Sequence, residues 1–383
     1  MRKRSFTMRT NFRVTAALAL FAASLPALAA SATVTRAWQY KPESVEGLAV
    51  RNLIGDIRVE RGTQPGVHVT ARATIEAGSQ AEADRLAGLV EYQTKDTGSR
   101  SRFDVRLPRE HFPKIYWTGG PAHWWTVSYV EHLGERVRLS GKRGEAIVVQ
   151  VDLVIRAPAG AKLDVSNVFG ESTAQGFSGD LKLDSGSGVL RSAGGEGRLE
   201  LDNGSGEVVV SGHRGRVGAD TGSGTVKITD CECEIVADTG SGSVDIQGGK
   251  GSVSADTGSG RVEVQGFSGS FSADTGSGSV RARGLRSVES LDVDTGSGSV
   301  TIEGDLSALG MLRIDTGSGS VNLRSPAQPS LELRINTGSG GVDIEAPGAT
   351  VREMDDIWTV RMKEGTGSGV IDTGSGSVDI DFR

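Results

Sequence analysis

The chain has 383 residues, a formal charge of −6 at pH 7 and 55 glycines, about twice the usual glycine share of roughly 7%. So much glycine excludes a helical repeat, and two cysteines are too few for a disulfide framework. The acidic balance argues against nucleic acid or anionic lipid as a partner.

Residues 1–29 read as a secretory signal. Arg2, Lys3, Arg4, Arg9 and Arg13 form a basic region, Val14 to Leu25 an apolar stretch, and Ala27-Leu28-Ala29 a small-residue cleavage site. The apolar stretch is too short to span a bilayer, so the expectation is cleavage near Ala29 and export to a periplasm or the extracellular space, without a transmembrane segment. Loss of the five basic residues takes the formal charge to about −11.

Residues 30–72 carry a faded repeat: Leu48 and Val50, Asn52-Leu53-Ile54-Gly55, Ile57 and Val59, then Val67 and Val69. Residues 73–160 interrupt it. Ser79-Gln80-Ala81-Glu82 is a capping box that predicts a short helix through Leu86, Leu89 and Val90. Alternating segments at Phe103 to Leu107 and Ile147 to Ile155 predict strands. This insertion is expected to cap the N-terminal end of the repeat, because open ends expose unpaired strand edges. It also gathers Trp117, Trp124 and Trp125, with Phe112, Tyr116, His123 and Tyr129 close by. Two readings follow: a plug over the core, or a surface that grips a glycan or protein partner.

Residues 161–383 hold the regular repeat. The phrase Asp-Thr-Gly-Ser-Gly, or a close variant, starts at Asp184, Asp202, Asp220, Asp238, Asp256 and Asp274, every 18 residues. The interval then lengthens to 20 or 21, giving Asp294, Asp315 and Asn336, and a last copy starts at Asp372. Between phrases, apolar residues recur two apart, as in Val226 and Ile228, then Ile235 and Ala237, the mark of strands buried on one face. Each unit therefore holds two short strands and two turns. A fixed period of this length predicts an all-β, parallel β-solenoid (β-helix-like) of about 18–21-residue coils, with residues 73–160 as an N-terminal helix-and-strand cap. Residues 346–364 break the period, and Ile357 to Met362 reads as one longer strand.

Several chemistries are suggested and declined. Asp-Thr-Gly-Ser surrounds the catalytic aspartates of pepsin-like proteases, but those need two aspartates sharing a proton. Copies set one per coil make a ladder instead, so Asp184, Asp202, Asp220, Asp238, Asp256, Asp274, Asp294, Asp315 and Asp372 are expected to be turn residues. Structural calcium is the stronger challenger, yet the nonapeptide calcium repeat is missing, and Asn336 lacks the charge a calcium ligand needs. No cofactor or metal is expected. Gly222-Ser-Gly224 precedes a strand and not a helix, which argues against a phosphate loop. His68, His111, His123, His132 and His213 show no ligand spacing, and His213 is expected to be solvated in a turn. Cys231 and Cys233 are read as small turn residues, with a local disulfide or a soft metal as alternatives.

The chain resembles a bacterial family of β-strand-repeat proteins, domains of unknown function labelled putative adhesins. The resemblance rests on the motif from Asn52 to Val59, the helix after Ser79, the Thr-Gly-Ser-Gly-Ser-Val phrases, and Gly365 to Gly369 running into Asp372. It implies a cell-envelope role and no catalytic residues, with an unknown envelope protein or glycan as partner. The expectation is a non-catalytic, envelope-associated adhesin-like interaction or structural protein. The alternatives are a polysaccharide-active β-helix enzyme or an accessory of an envelope-stress response.

Overall fold

The computed structural model describes residues 30–40, 47–96, 101–117, 129–140 and 146–383. The signal segment 1–29, Trp124 and Trp125 lie outside the described residues. The described chain is nearly all β with one helix, and its strands join a long, mostly parallel sheet, apart from the separate antiparallel hairpin Tyr129–His132 and Glu135–Arg138.

One repeat shows how. Val226–Thr229 and Glu232–Thr239 form one layer, and Val244–Gln247 with Lys250–Thr257 form the next. The two layers pair in parallel, Val226 over Val244 and Ala237 over Ala255. A third layer repeats the register, bringing Val262 under Val244 and Phe271 under Val253. Because side chains alternate along a strand, Val226, Ile228, Ile235, Ala237 and Thr239 all point inward and are buried. Layers about 4.8 Å apart put each buried Val or Ile against its counterpart, and each such burial is worth about 1.5–3 kcal/mol. The outward row carries Lys227, Asp245, Glu263 and Arg281, and Lys227 bonds Glu207 at 2.6 Å.

Two features depart from the pattern read in the sequence. In the early layers, Ser172–Ser187 and Leu190–Ser205 are single sixteen-residue strands that run round the bend. Gly176 (φ 60°) and Gly194 (φ 57°) turn the backbone within the strand, in the left-handed region open to glycine.

The second departure is the order of the layers. At the N-terminal end, Leu48–Ile54 lies between Ser101–Arg106 and Ala161–Phe169, parallel to both. At the C-terminal end, Gly367–Thr373 lies between Met311–Thr316 and Leu331–Thr337. Its companion Val378–Phe382 lies between Val321–Ser325 and Val342–Glu345. The first and last repeat units in sequence are therefore interior layers, each held between two others.

Antiparallel pieces cover the ends. Ala30–Tyr40 pairs with Val67–Ala77, which pairs with Ile147–Ala157. Across them lies the helix Gln80–Gly88, whose Ser79 side chain accepts from the Glu82 amide at 3.3 Å. It buries Ala83, Leu86 and Ala87 against the first two of these strands. At the other end Ile357–Arg361 pairs antiparallel with Leu331–Thr337, and the exposed strand Thr350–Met354 lies beyond it.

The interior position of the last unit can be tested by cross-linking. Asn336 and Asp372 are neighbours, with Asn336 Nδ2 donating to Asp372 Oδ1 at 2.9 Å. Asp315 and Asn336 are separated by a whole layer, about twice the ~4.8 Å strand spacing and beyond disulfide reach of ~7 Å. The pair N336C/D372C should oxidise to a disulfide that peptide mapping detects, and D315C/N336C should not. The opposite result would restore the order of the sequence.

Candidate functional site

The repeated phrase is the most conspicuous candidate, and its parts fall in different places. The threonine is buried and the aspartate beside it faces out. Thr257 Oγ1 accepts from the Gly260 amide at 2.9 Å and donates to the Gly242 carbonyl of the preceding layer at 3.0 Å. Thr239 repeats this with Gly242 at 2.9 Å and Gly224 at 3.3 Å, and Thr275 with Gly278 at 2.9 Å and Gly260 at 3.3 Å. The glycines are required by proximity. A Cβ on Gly242 would lie 1.4 Å from the Gly224 carbonyl oxygen, and one on Gly260 1.4 Å from that of Gly242. In the early layers the same position holds Asn52, Asn167, Ser185 and Asn203. Asn167 Nδ2 donates to the Gly55 carbonyl at 2.8 Å, and Asn203 Nδ2 to that of Gly188 at 3.1 Å.

The aspartates are therefore not turn residues, as the sequence suggested. They lie within strands, close to the end, and from Asp220 to Asp315 the threonine beside each takes the turn amide instead. They form one outward row in parallel register, Asp184, Asp202, Asp220, Asp238, Asp256, Asp274, Asp294, Asp315 and Asp372, which ends in Asn336. Partial burial, reinforced by Asp202, raises the Asp184 carboxyl above its ordinary value of 3.8. Burial, then Asp238 and Asp202, does the same for Asp220. Such a row offers repulsion rather than a shared-proton pair. Among the described residues no group of three or more His, Cys, Asp or Glu side chains is placed to hold a metal.

Of the three tryptophans singled out, only Trp117 is among the described residues. It is half-buried, and its ring stacks on Phe169 at 6.4 Å and 26°. Different aromatics meet at the capped end: Trp38 lies 4.9 Å from Tyr92 and 4.8 Å from Phe103, which is fully buried. Their signal was present in the alternation of Trp38 with Tyr40 and of Phe103 with Val105.

Two other side chains differ from expectation. His213 is buried, not solvated, with Nε2 3.0 Å from the Gly197 carbonyl, and burial lowers its pKa. The glycines at 195 and 197 in the adjacent layer leave room for the ring. Cys231 and Cys233 are joined as a disulfide and buried where the turn enters the strand Glu232–Thr239, one of the alternatives that the sequence left open.

A groove of about 560 Å³ near the capped end has no counterpart in the sequence pattern. It is lined by Arg51, Gln93, Thr94, Lys95, Arg102, Asp104, Arg106 and Leu133. These residues come from three strands and a hairpin turn, far apart in the chain, and match no motif.

No family model matches the chain, and no curated protein matches it. Among solved structures, one of a putative cell adhesion protein from Clostridium sporogenes aligns with 92% of this chain and 100% of its own, at 9% identity and a TM-score of 0.19. A likeness that small carries no inference about this chain.

The aspartate row makes a pH-dependent prediction. A carboxyl whose value is raised in the native state holds its proton more readily folded than unfolded. Stability from this source therefore rises as pH falls from neutral toward the ordinary value of 3.8 and is lost as pH rises through the native value. Neighbouring carboxylates repel by about 1 kcal/mol in water, and salt screens this. The variant D220N should therefore raise the melting midpoint by about 1–2 °C at low salt, with the gain shrinking in 0.5 M salt. A chelator should leave the midpoint of the native chain unchanged. A chelator-induced fall reversed by calcium would identify the row as a metal site.

Proposed function

We propose that the protein is an exported, non-catalytic β-solenoid that serves the cell envelope as an adhesin-like interaction or structural protein. The observation that carries this reading is the use made of the repeated phrase. Its threonines and glycines hold layer to layer, and its aspartates form a uniform outward row, so the repetition builds a long, regular surface. A rigid stack of this kind is suited to present surface to a partner over many layers.

Other observations support parts of the reading. The β-solenoid accounts for the parallel pairing from Ser172 to Phe382, outside the antiparallel strands Thr350–Met354 and Ile357–Arg361. The buried disulfide between Cys231 and Cys233 suits an oxidising compartment outside the cytosol. The basic and apolar segments of residues 1–29 provide an export signal, and no described helix is long and apolar enough to cross a membrane. The partner in this proposal is an envelope protein or glycan, and the protein works without a cofactor.

The test is expression of the full chain in a bacterial host, followed by fractionation and a binding assay. The mature protein should leave the cytosol with its N-terminus near Ala30. Purified protein should co-sediment with isolated envelope material and release no reducing ends from it. Retention in the cytosol would refute export. Release of reducing ends would favour a polysaccharide-active enzyme instead.

A further inference from the structure

The groove near the capped end carries four cations against one carboxylate in an otherwise acidic protein. Arg102, Asp104 and Arg106 alternate on the outward side of Ser101–Arg106. Lys95 sits across the antiparallel pair from Arg102, and Arg51 across the parallel pair from Asp104. Asp104 is the fixed centre, 8% exposed. Both its oxygens are taken by Arg51, with Nε to Oδ1 at 2.8 Å and Nη2 to Oδ2 at 2.9 Å. Arg102 is left with Nε at 3.6 Å from Oδ2, too far for a hydrogen bond. Arg106 reaches Glu135 at 3.4 Å, and Lys95 is exposed. The carboxylate therefore positions one guanidinium fully, while Arg102 and Lys95 face the groove with no side-chain hydrogen bond to the described residues.

The surroundings limit what could fill it. The outward row that contains Asp104 and Arg51 continues through Ser166 to Asp184 and the rest of the aspartates. An extended polyanion lying along that row would meet like charge within two layers, so nucleic acid does not fit. A ligand with one anionic group does. Arginine forks suit phosphate and carboxylate geometry. The groove, at about 560 Å³, is far larger than one anion and falls within the usual range for small ligands of roughly 300–1,000 Å³. Gln93 offers donors and an acceptor for hydroxyls, and Leu133 supplies an apolar wall. A sugar has both faces.

We propose that this groove binds a sugar carrying a single phosphate or carboxylate group, held through Arg102, Lys95 and Arg106 beside the Arg51–Asp104 pair. This names a ligand class for the interaction role proposed above and rests on that reading, but the two fail separately. Envelope retention tests the role, and solution binding of a small sugar tests the groove alone.

The experiment is calorimetric titration of the full chain at low salt with glucose 6-phosphate, glucuronate, inorganic phosphate and glucose. Both anionic sugars should bind saturably, more tightly than inorganic phosphate, and glucose should not bind. The variants R102A and K95A alter a partly exposed and an exposed side chain and should keep the native melting curve. Each should weaken glucose 6-phosphate binding by about tenfold or more, as expected for loss of a charge-assisted hydrogen bond. Absence of saturable binding, equal affinity for inorganic phosphate, or unchanged affinity in both variants would overturn the proposal.

Discussion

Close approach of backbone between layers is the constraint from which the rest of this structure follows. The carbonyl oxygen of one glycine lies where the side chain of the equivalent residue one layer on would have to be, as at Gly242 over Gly224. Only glycine fits, and the threonine three residues before it closes the gap with one bond to its own turn and one to the neighbouring layer. Each bond is worth about 1 kcal/mol net, but breaking one would leave buried polar groups unpaired at greater cost. Turn geometry, layer spacing and the register of the valines are thus fixed together.

That register also governs the surface. Once the threonines point inward, strand alternation forces the preceding aspartates outward into a single row. The row opposes folding slightly and is kept at an exposed edge, where water and salt weaken the repulsion. Where the row ends, Asn336 turns repulsion into a hydrogen bond to Asp372. At the other end Arg51 and Asp104 continue the row with paired charges, and there the protein carries its cationic groove.

The strand pairing was legible in the sequence because the period is carried by residues with strict steric roles, Thr221 and Gly224 among them. The faded repeat at Asn52 was legible for the same reason, since asparagine can replace threonine as a buried donor. Layer order was not legible. Asp315 can be followed equally well by Asn336 or by Asp372, because neighbouring units present the same chemistry to one another. The choice depends on the connection through 346–364, which returns the chain to fill the vacant layer. The fate of His213 depended on glycines in an adjacent layer, and the groove on residues brought together only by folding. Local patterns show which way a side chain faces, but not what lies beside it across two strands.

The central claim is that the turns are locked into the core by threonine. Amide hydrogen exchange of the native protein, followed by NMR at Gly224, Gly242, Gly260, Gly278, Gly298 and Gly319, tests it directly. These amides lie in surface turns, yet each donates to a buried threonine hydroxyl. They should exchange as slowly as the strand amides of Val244 and Val262, through opening of the stack as a whole. Exchange at the rate of free loop amides would show that the turns open on their own and that the threonine row does not hold the layers together.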